Sequence, residues 1–130
     1  MPVPVRVYKD LDLDLTPHPV TGALSTLNDA DAVRRSVRQL VLTANFERPH
    51  RPWIGSPVQN SLFGLANLVT AQQIKSGIET VVAAHEKRAE IQNVEVDLNN
   101  DRNGYDCVIT FSVKNIPAPI ELTLFLKRTR

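Results

Sequence analysis

Residues 105–113 read Tyr105-Asp106-Cys107-Val108-Ile109-Thr110-Phe111-Ser112-Val113, with apolar side chains at every odd position. In a strand, successive side chains point to opposite faces, so Tyr105, Cys107, Ile109, Phe111 and Val113 share one face opposite Asp106, Thr110 and Ser112. The stretches on either side repeat the pattern. Upstream, Val94, Val96 and Leu98 alternate with Asn93, Glu95 and Asp97; downstream, Ile120, Leu122, Leu124 and Leu126 alternate with Glu121, Thr123, Phe125 and Lys127. The polar run Asn99–Gly104 supplies a turn with Asn103-Gly104 as its tight point, and Asn115-Ile116-Pro117-Ala118-Pro119 reads as a stiff connection. Residues 91–130 are therefore expected to form an antiparallel three-stranded meander, one face covered by helices.

The helices lie upstream, in residues 28–90. Val33, Val37, Leu40, Val41 and Ala44 fall at helical spacing, with Asn28 and Asp31 placed as a capping box and Asn45 suited to the helix end. Thr70–Gln73 offers a second capping box for a longer helix reaching about Arg88, striped by Ile74, Ile78, Val81, Val82 and His85. Between them, Ser56, Pro57 and Gln59 read as cap, first residue and capping glutamine of a short helix ended by Gly64. Residues 1–27 hold one more strand, Val7 to Leu15, with Leu11, Leu13 and Leu15 on a buried face and Asp10, Asp12 and Asp14 on the other. The expected fold is a single α+β domain over 1–130. Its small antiparallel sheet, the N-terminal strand plus the meander, packs on two main helices and one short helix.

Composition narrows the function classes. In 130 residues, 42% are hydrophobic and 22% charged, enough apolar surface to offset the entropy of ordering. A net charge of +1 gives no field that would draw nucleic acid or anionic lipid. The single cysteine, Cys107, sits on the apolar face and suits a buried structural thiol in a reducing compartment. Met1–Arg6 lacks a basic region followed by an apolar run, and no stretch reaches membrane-spanning length, so a soluble, intracellular product is expected.

One segment is irregular. Residues 46–57 hold three prolines and a glycine, which excludes a helix interior or a central strand. Arg48 and Arg51 can fork onto carboxylates or carbonyls, Trp53 offers a large amphipathic surface, and Pro49 and Pro52 fix the backbone in advance. The residues leave open whether Trp53 faces a partner or plugs the domain's own core. Glu47 is the one carboxylate in a special context. Arginines beside it would hold it ionised, which suits an ion pair better than a general acid. No phosphate loop, nucleophile elbow or paired-histidine spacing appears, so no catalytic residue, cofactor or metal is expected. The helix arginines Arg34, Arg35 and Arg38 read as a solvated face, with a nucleic-acid patch as the weaker alternative.

In order and spacing these features resemble the phage baseplate assembly protein W and lysozyme-like baseplate wedge family. Tyr8-Lys9-Asp10-Leu11 is similar to that family's short "KDL" strand, and Val41-Leu42-Thr43 to its "I-L-L-T". Asn45-Phe46-Glu47-Arg48-Pro49-His50-Arg51-Pro52-Trp53-Ile54-Gly55-Ser56-Pro57 resembles G-E-R-x-x-R-P-x-x-G-S, and Ser61-Leu62-Phe63 resembles "L-L-F". Phe46 stands where the family commonly has glycine, and Trp53 where it commonly has an acid.

The resemblance implies a structural subunit of a contractile tail baseplate wedge, found in the virion tail and in host cytoplasm during assembly. Its partners would be larger wedge proteins, the tail sheath protein and tube-proximal hub proteins, with no nucleic acid and no membrane. Glu47, Arg48, Pro49, Arg51, Pro52, Trp53 and Gly55 would join the wedge. The final strand, through Ile120, Leu122, Leu124 and Leu126, would accept a sheath strand at an open edge and start the sheath. A type VI secretion baseplate subunit is the near alternative. A peptidoglycan hydrolase using Glu47 is the enzymatic one.

Overall fold

The computed structural model describes residues 8–114 and 116–128. Its elements are β1 (Lys9–Leu11), β2 (Thr26–Asn28), α1 (Asp29–Leu42), α2 (Val58–Ser61), α3 (Leu68–His85), β3 (Ala89–Asn99), β4 (Gly104–Val113) and β5 (Ile116–Lys127). The architecture is α+β: two long helices, one short helix and the expected meander, in the order β3-β4-β5. Alternation becomes burial. Tyr105, Cys107, Ile109, Phe111 and Val113 of β4 all face the core, as do Ile120, Leu122, Leu124 and Leu126 of β5. Val33, Val37 and Val41 of α1 and Ile74, Ile78 and Val82 of α3 close the other side. Burying side chains of this size stabilises by about 1.5–3 kcal/mol each before ordering entropy is charged against them.

The N-terminal strand departs from expectation. It pairs with β2 in a separate two-stranded ribbon, not with the meander, through Lys9 with Asn28, Asp10 with Leu27 and Leu11 with Thr26. Leu11, Leu13 and Leu15 are exposed, so the expected buried leucine face does not form. The period-two pattern beyond Leu11 belongs to a turn. Asp12 accepts the Asp14 N–H (3.2 Å) and the Thr16 hydroxyl (2.9 Å), and Leu15 takes a positive φ of 54°. Arg35 of α1 reaches Asp14 at 3.2 Å and Asp12 at 3.9 Å, tying the turn to the helix. Val7, where the strand was expected to start, lies outside the described residues.

Helix ends also differ in detail. Asn28 caps α1 without a side-chain bond, so the expected capping box with Asp31 is absent. The Asp29 N–H donates to the Tyr8 carbonyl (2.8 Å), and the Asp29 carboxylate accepts the Tyr8 N–H (3.3 Å). α1 ends at Thr43 in extended geometry, not at Asn45. α3 is capped by Asn67, whose side chain accepts the Thr70 N–H at 2.8 Å, and Thr70 itself lies inside the first turn. α3 stops at His85 rather than Arg88 because Glu86 and Arg88 engage each other across the turn into β3. Ile116–Pro119 belong to β5, opposite a register irregularity between Phe111 and Val113, and do not form a free connection. Asn115 lies outside the described residues.

Candidate functional site

The loop between α1 and α2 is a stack of tight turns clamped at its base. At the base, the Ser56 N–H donates to the Thr43 carbonyl (2.8 Å), and the Ser56 hydroxyl reaches back to the Val41 carbonyl (2.7 Å). Ser56 is buried by this, and Pro57, not Ser56, occupies the cap position of α2. Gly55 passes against Ala44 so closely that a Cβ would lie 2.5 Å from the Ala44 carbonyl oxygen. Its φ of +149° is also one that side chains rarely adopt.

Three turns follow from the sequence. In Ala44–Glu47 the Glu47 N–H donates to the Ala44 carbonyl (3.3 Å), and Phe46 sits third with φ 66°. That is the position in a type II turn where glycine is favoured. Arg48–Arg51 is closed by the Arg51 N–H on the Arg48 carbonyl (3.2 Å), and Arg51–Ile54 by the Ile54 N–H on the Arg51 carbonyl (3.1 Å). Pro49 and Pro52 are each second in their turns, where a fixed φ near −65° is what the turn needs. The Phe46 N–H donates to the Pro52 carbonyl (3.0 Å), folding the first turn against the last.

Glu47 turns out to brace this scaffold. Its carboxylate accepts the Ala44 N–H at 2.8 Å. The expected ion pair between Glu47 and Arg48 or Arg51 does not form among the described residues. The side chains of Arg48, His50 and Arg51 are exposed. None has a hydrogen bond or ion pair among the described residues. Trp53 is 65% exposed and Phe46 82%, which resolves the question about Trp53: it does not plug the core. The loop thus presents two free guanidiniums, an imidazole and two aromatic rings on a backbone fixed from within.

A family model for baseplate wedge protein gp25 matches residues 27–118, well over half of the chain. The chain belongs to that family. Among solved structures, the anti-feeding prophage baseplate holds a chain with 24% identity and a TM-score of 0.72, covering 85% of this chain and 88% of that one. A candidate tail lysozyme from Geobacter sulfurreducens has 22% identity and a TM-score of 0.67, covering 75% and 91%. The postcontracted pyocin R2 baseplate holds one at 16% and 0.63, covering 83% and 100%. These likenesses show a shared fold. No curated protein matches the chain.

In this baseplate wedge family member the second expected site, on β5, needs a correction in its residues. Ile120, Leu122, Leu124 and Leu126 are buried at 3–6% exposure, so their side chains are closed to a partner. Their backbone is closed as well. The Arg128 N–H donates to the Asn103 carbonyl (3.0 Å), which makes Tyr105–Leu126, Cys107–Leu124, Ile109–Leu122 and Phe111–Ile120 the hydrogen-bonded pairs of the ladder. The outward N–H and C=O groups belong instead to Glu121, Thr123, Phe125 and Lys127. Strand parity in the sequence carried that signal, since residues between inward-facing ones also alternate in backbone direction. Phe46 was missed as part of the loop's surface, because a side chain at a glycine position gives no sign of being presented outward.

Elsewhere the candidates disperse. Arg34 pairs with Asp31 and Arg35 with Asp12 and Asp14, so two of the three helix arginines are engaged by the chain's own carboxylates. No group of three metal-capable side chains occurs among the described residues. No helix is long and apolar enough to cross a membrane. Cys107 is fully buried, and burial pushes its thiol up to about 12, with Asp106 and Asp97 adding to the rise.

Proposed function

We propose that the chain is a non-enzymatic subunit of a contractile tail baseplate wedge, joining larger wedge proteins through the crown of the 46–55 loop. The observation that carries this reading is the pairing of a self-braced backbone with unengaged Arg48, Arg51 and Trp53. Arginine and tryptophan dominate the energetics of interfaces, and a preset backbone lowers the ordering cost of binding. Glu47, Pro49, Pro52 and Gly55 act by holding the turns; Arg48, Arg51 and Trp53 make the contacts. On β5, the outward backbone groups of Glu121, Thr123, Phe125 and Lys127 receive a strand of the tail sheath protein and start sheath growth. Tube-proximal hub proteins complete the set of neighbours.

Co-expression with the adjacent wedge and sheath proteins tests this. Arg48→Ala and Arg51→Ala are expected to abolish co-purification while the isolated chain keeps its folded circular-dichroism spectrum. Retained assembly in both variants would refute the crown as the joining surface. Removal of residues 120–130 tests the sheath role only if the rest stays folded, so Thr123→Pro, which removes one outward N–H, is the sharper variant. It is expected to block sheath polymerisation and spare wedge incorporation.

The hydrolase reading retains one point of contact, the Geobacter sulfurreducens relative described as a candidate tail lysozyme. Here Glu47 is already engaged by a backbone donor, which suits a brace better than a proton donor. A zymogram of the purified chain beside Glu47→Gln decides it: clearing lost in the variant would establish hydrolysis.

A further inference from the structure

Between β1 and β2 the chain makes an excursion whose outer part, residues 13–24, is ordered by its own bonds and left uncovered. The Ser25 N–H donates to the Thr16 carbonyl (3.0 Å) and the His18 N–H to the Ala23 carbonyl (2.7 Å). At the tip the Gly22 N–H donates to the His18 carbonyl (2.9 Å), and His18 Nδ1 accepts the Val20 N–H (3.3 Å). Every residue from Leu13 to Leu24 is exposed, and Leu13, Leu15, Val20 and Leu24 are so at 52–85%. No residue from Leu15 to Asn28 carries a charge, in a chain where 22% do. The one charged residue of the arm, Asp14, is paired with Arg35. The arm lies ahead of the family match, which begins at residue 27. An ordered arm that exposes four aliphatic side chains is built for contact.

The same chain carries a groove of matching chemistry. It has a volume of about 570 Å3 and runs between α3 and the start of α2. Val69, Gln73, Ser76 and Thr80 form its long wall, at helical spacing that keeps them on one face of α3, with Pro57 and Ser61 across from them. Gly77 lets the two sides close at the floor, since a Cβ there would lie 3.1 Å from Cγ of Pro57. No charged side chain lines this groove among the described residues. Three other cavities each hold charged ones: Glu79 and Lys114, Arg34 and Arg38, Lys75 and Asp97. Because the arm is exposed along its length, it does not occupy the groove of its own chain.

We propose that this groove receives residues 13–24 of a second copy of the chain, so that copies join head to tail. Charge decides the match. A charge closed inside an apolar contact is costly unless it is paired, so a charge-free tip fits a charge-free groove and is turned away from the charged cavities. Pro17 and Pro19 lack N–H donors, so the contact rests on side-chain packing and not on backbone pairing. Arm and groove are different surfaces, and each copy both gives and receives. Such a heterologous contact grows into a ring or a filament. It uses neither Arg48, Arg51 and Trp53 of the crown nor the edges of the sheet, and it stands whether or not those surfaces bind as proposed.

Sedimentation velocity of the full chain tests this, with two double variants at positions open to solvent. One is Leu15→Asp with Leu24→Asp on the arm; the other is Val69→Asp with Ser76→Asp in the groove. The average mass of the wild type is expected to rise with concentration past that of a dimer by about 1 mM. Each double variant alone is expected to stay monomeric, its self-association weakened by about tenfold or more, with a folded circular-dichroism spectrum. Mixed in equal amounts, the two should form a one-to-one dimer and go no further, because only one intact arm can meet one intact groove. A second set, Leu13→Asp with Val20→Asp and Gln73→Glu with Thr80→Glu, should behave alike and answers for any variant of the first set that fails to fold. Four outcomes would overturn the proposal: a wild type that stays monomeric, a wild type that stops at a dimer, a variant that associates as the wild type does, or a mixture that remains monomeric.

Discussion

Glu86 and Arg88 form a two-pronged ion pair at the joint between α3 and β3, with Nε to Oε1 at 2.7 Å and Nη2 to Oε2 at 2.8 Å. The Ser36 hydroxyl of α1 also donates to Glu86, and the Arg88 guanidinium lies 5.3 Å from the centre of the Tyr8 ring. Three segments distant in sequence therefore meet around one buried ion pair.

Acid should loosen this joint first. Burial raises the Glu86 carboxyl, but the bonds from Arg88 and Ser36 outweigh it, and the net value lies below the ordinary 4.5. A carboxylate depressed in the folded state adds stability above its unfolded value, and that stability is lost as pH falls through the folded one. Glu86→Gln is expected to cost about 2 kcal/mol at pH 7, from donors left short of an acceptor. The gap from wild type should shrink as pH drops below about 4.5, read by urea melts at several pH values.

The first turn of the loop holds a phenylalanine where glycine is the better fit. A left-handed φ costs a bulky residue about 1–2 kcal/mol, and Phe46 buries almost nothing in return. Phe46→Gly is expected to leave stability unchanged or raise it by up to about 1 kcal/mol, the relieved strain offset by glycine's greater chain entropy. Gly55→Ala should do the reverse and cost about 2–3 kcal/mol, since the Ala44 carbonyl is backbone and has nowhere to move. Thermal melts of both variants check the pair.

Arg48→Ala, Arg51→Ala and Trp53→Ala are expected to shift stability by no more than about 0.5 kcal/mol, as substitutions of exposed side chains without partners. Loss of several kcal/mol in the isolated chain would mean that these side chains serve the fold.

Cys107 should stay silent to thiol reagents in the native chain at pH 8 and react only at the rate of unfolding. Its raised value favours the folded state below about 9 and withdraws that contribution as pH climbs toward 12, because the unfolded thiol ionises first. Cys107→Ser would bury a hydroxyl in an apolar site and is expected to cost about 1–3 kcal/mol in chemical denaturation.

What could be read from the sequence followed from burial. β4 and β5 were legible because every inward position is apolar, and α3 because its stripe has helical spacing. The acidic alternation Asp10-Asp12-Asp14 mimicked one long strand, while only Asp10 lies in β1; Asp12 orders a turn and, with Asp14, attracts Arg35. Caps were misassigned at Ser56 and Thr70 because several residues in each stretch could serve; a long-range bond from Ser56 to Val41 and a local one from Thr70 to Asn67 made the choice. Pro49, Pro52 and Gly55 stood out as special. Only the hydrogen bonds show why: two prolines second in successive turns, and a glycine beneath Ala44.

Glu47 and the prolines brace the loop from within, and this divides its residues into two classes of mutational fate. Changes at Glu47 or Gly55 should act on any function of the protein, because they undo a shape. Changes at Arg48, His50, Arg51 and Trp53 leave that shape standing and alter only what it meets. A lineage could therefore retune this surface to new neighbours, one exposed side chain at a time, without passing through an unfolded intermediate.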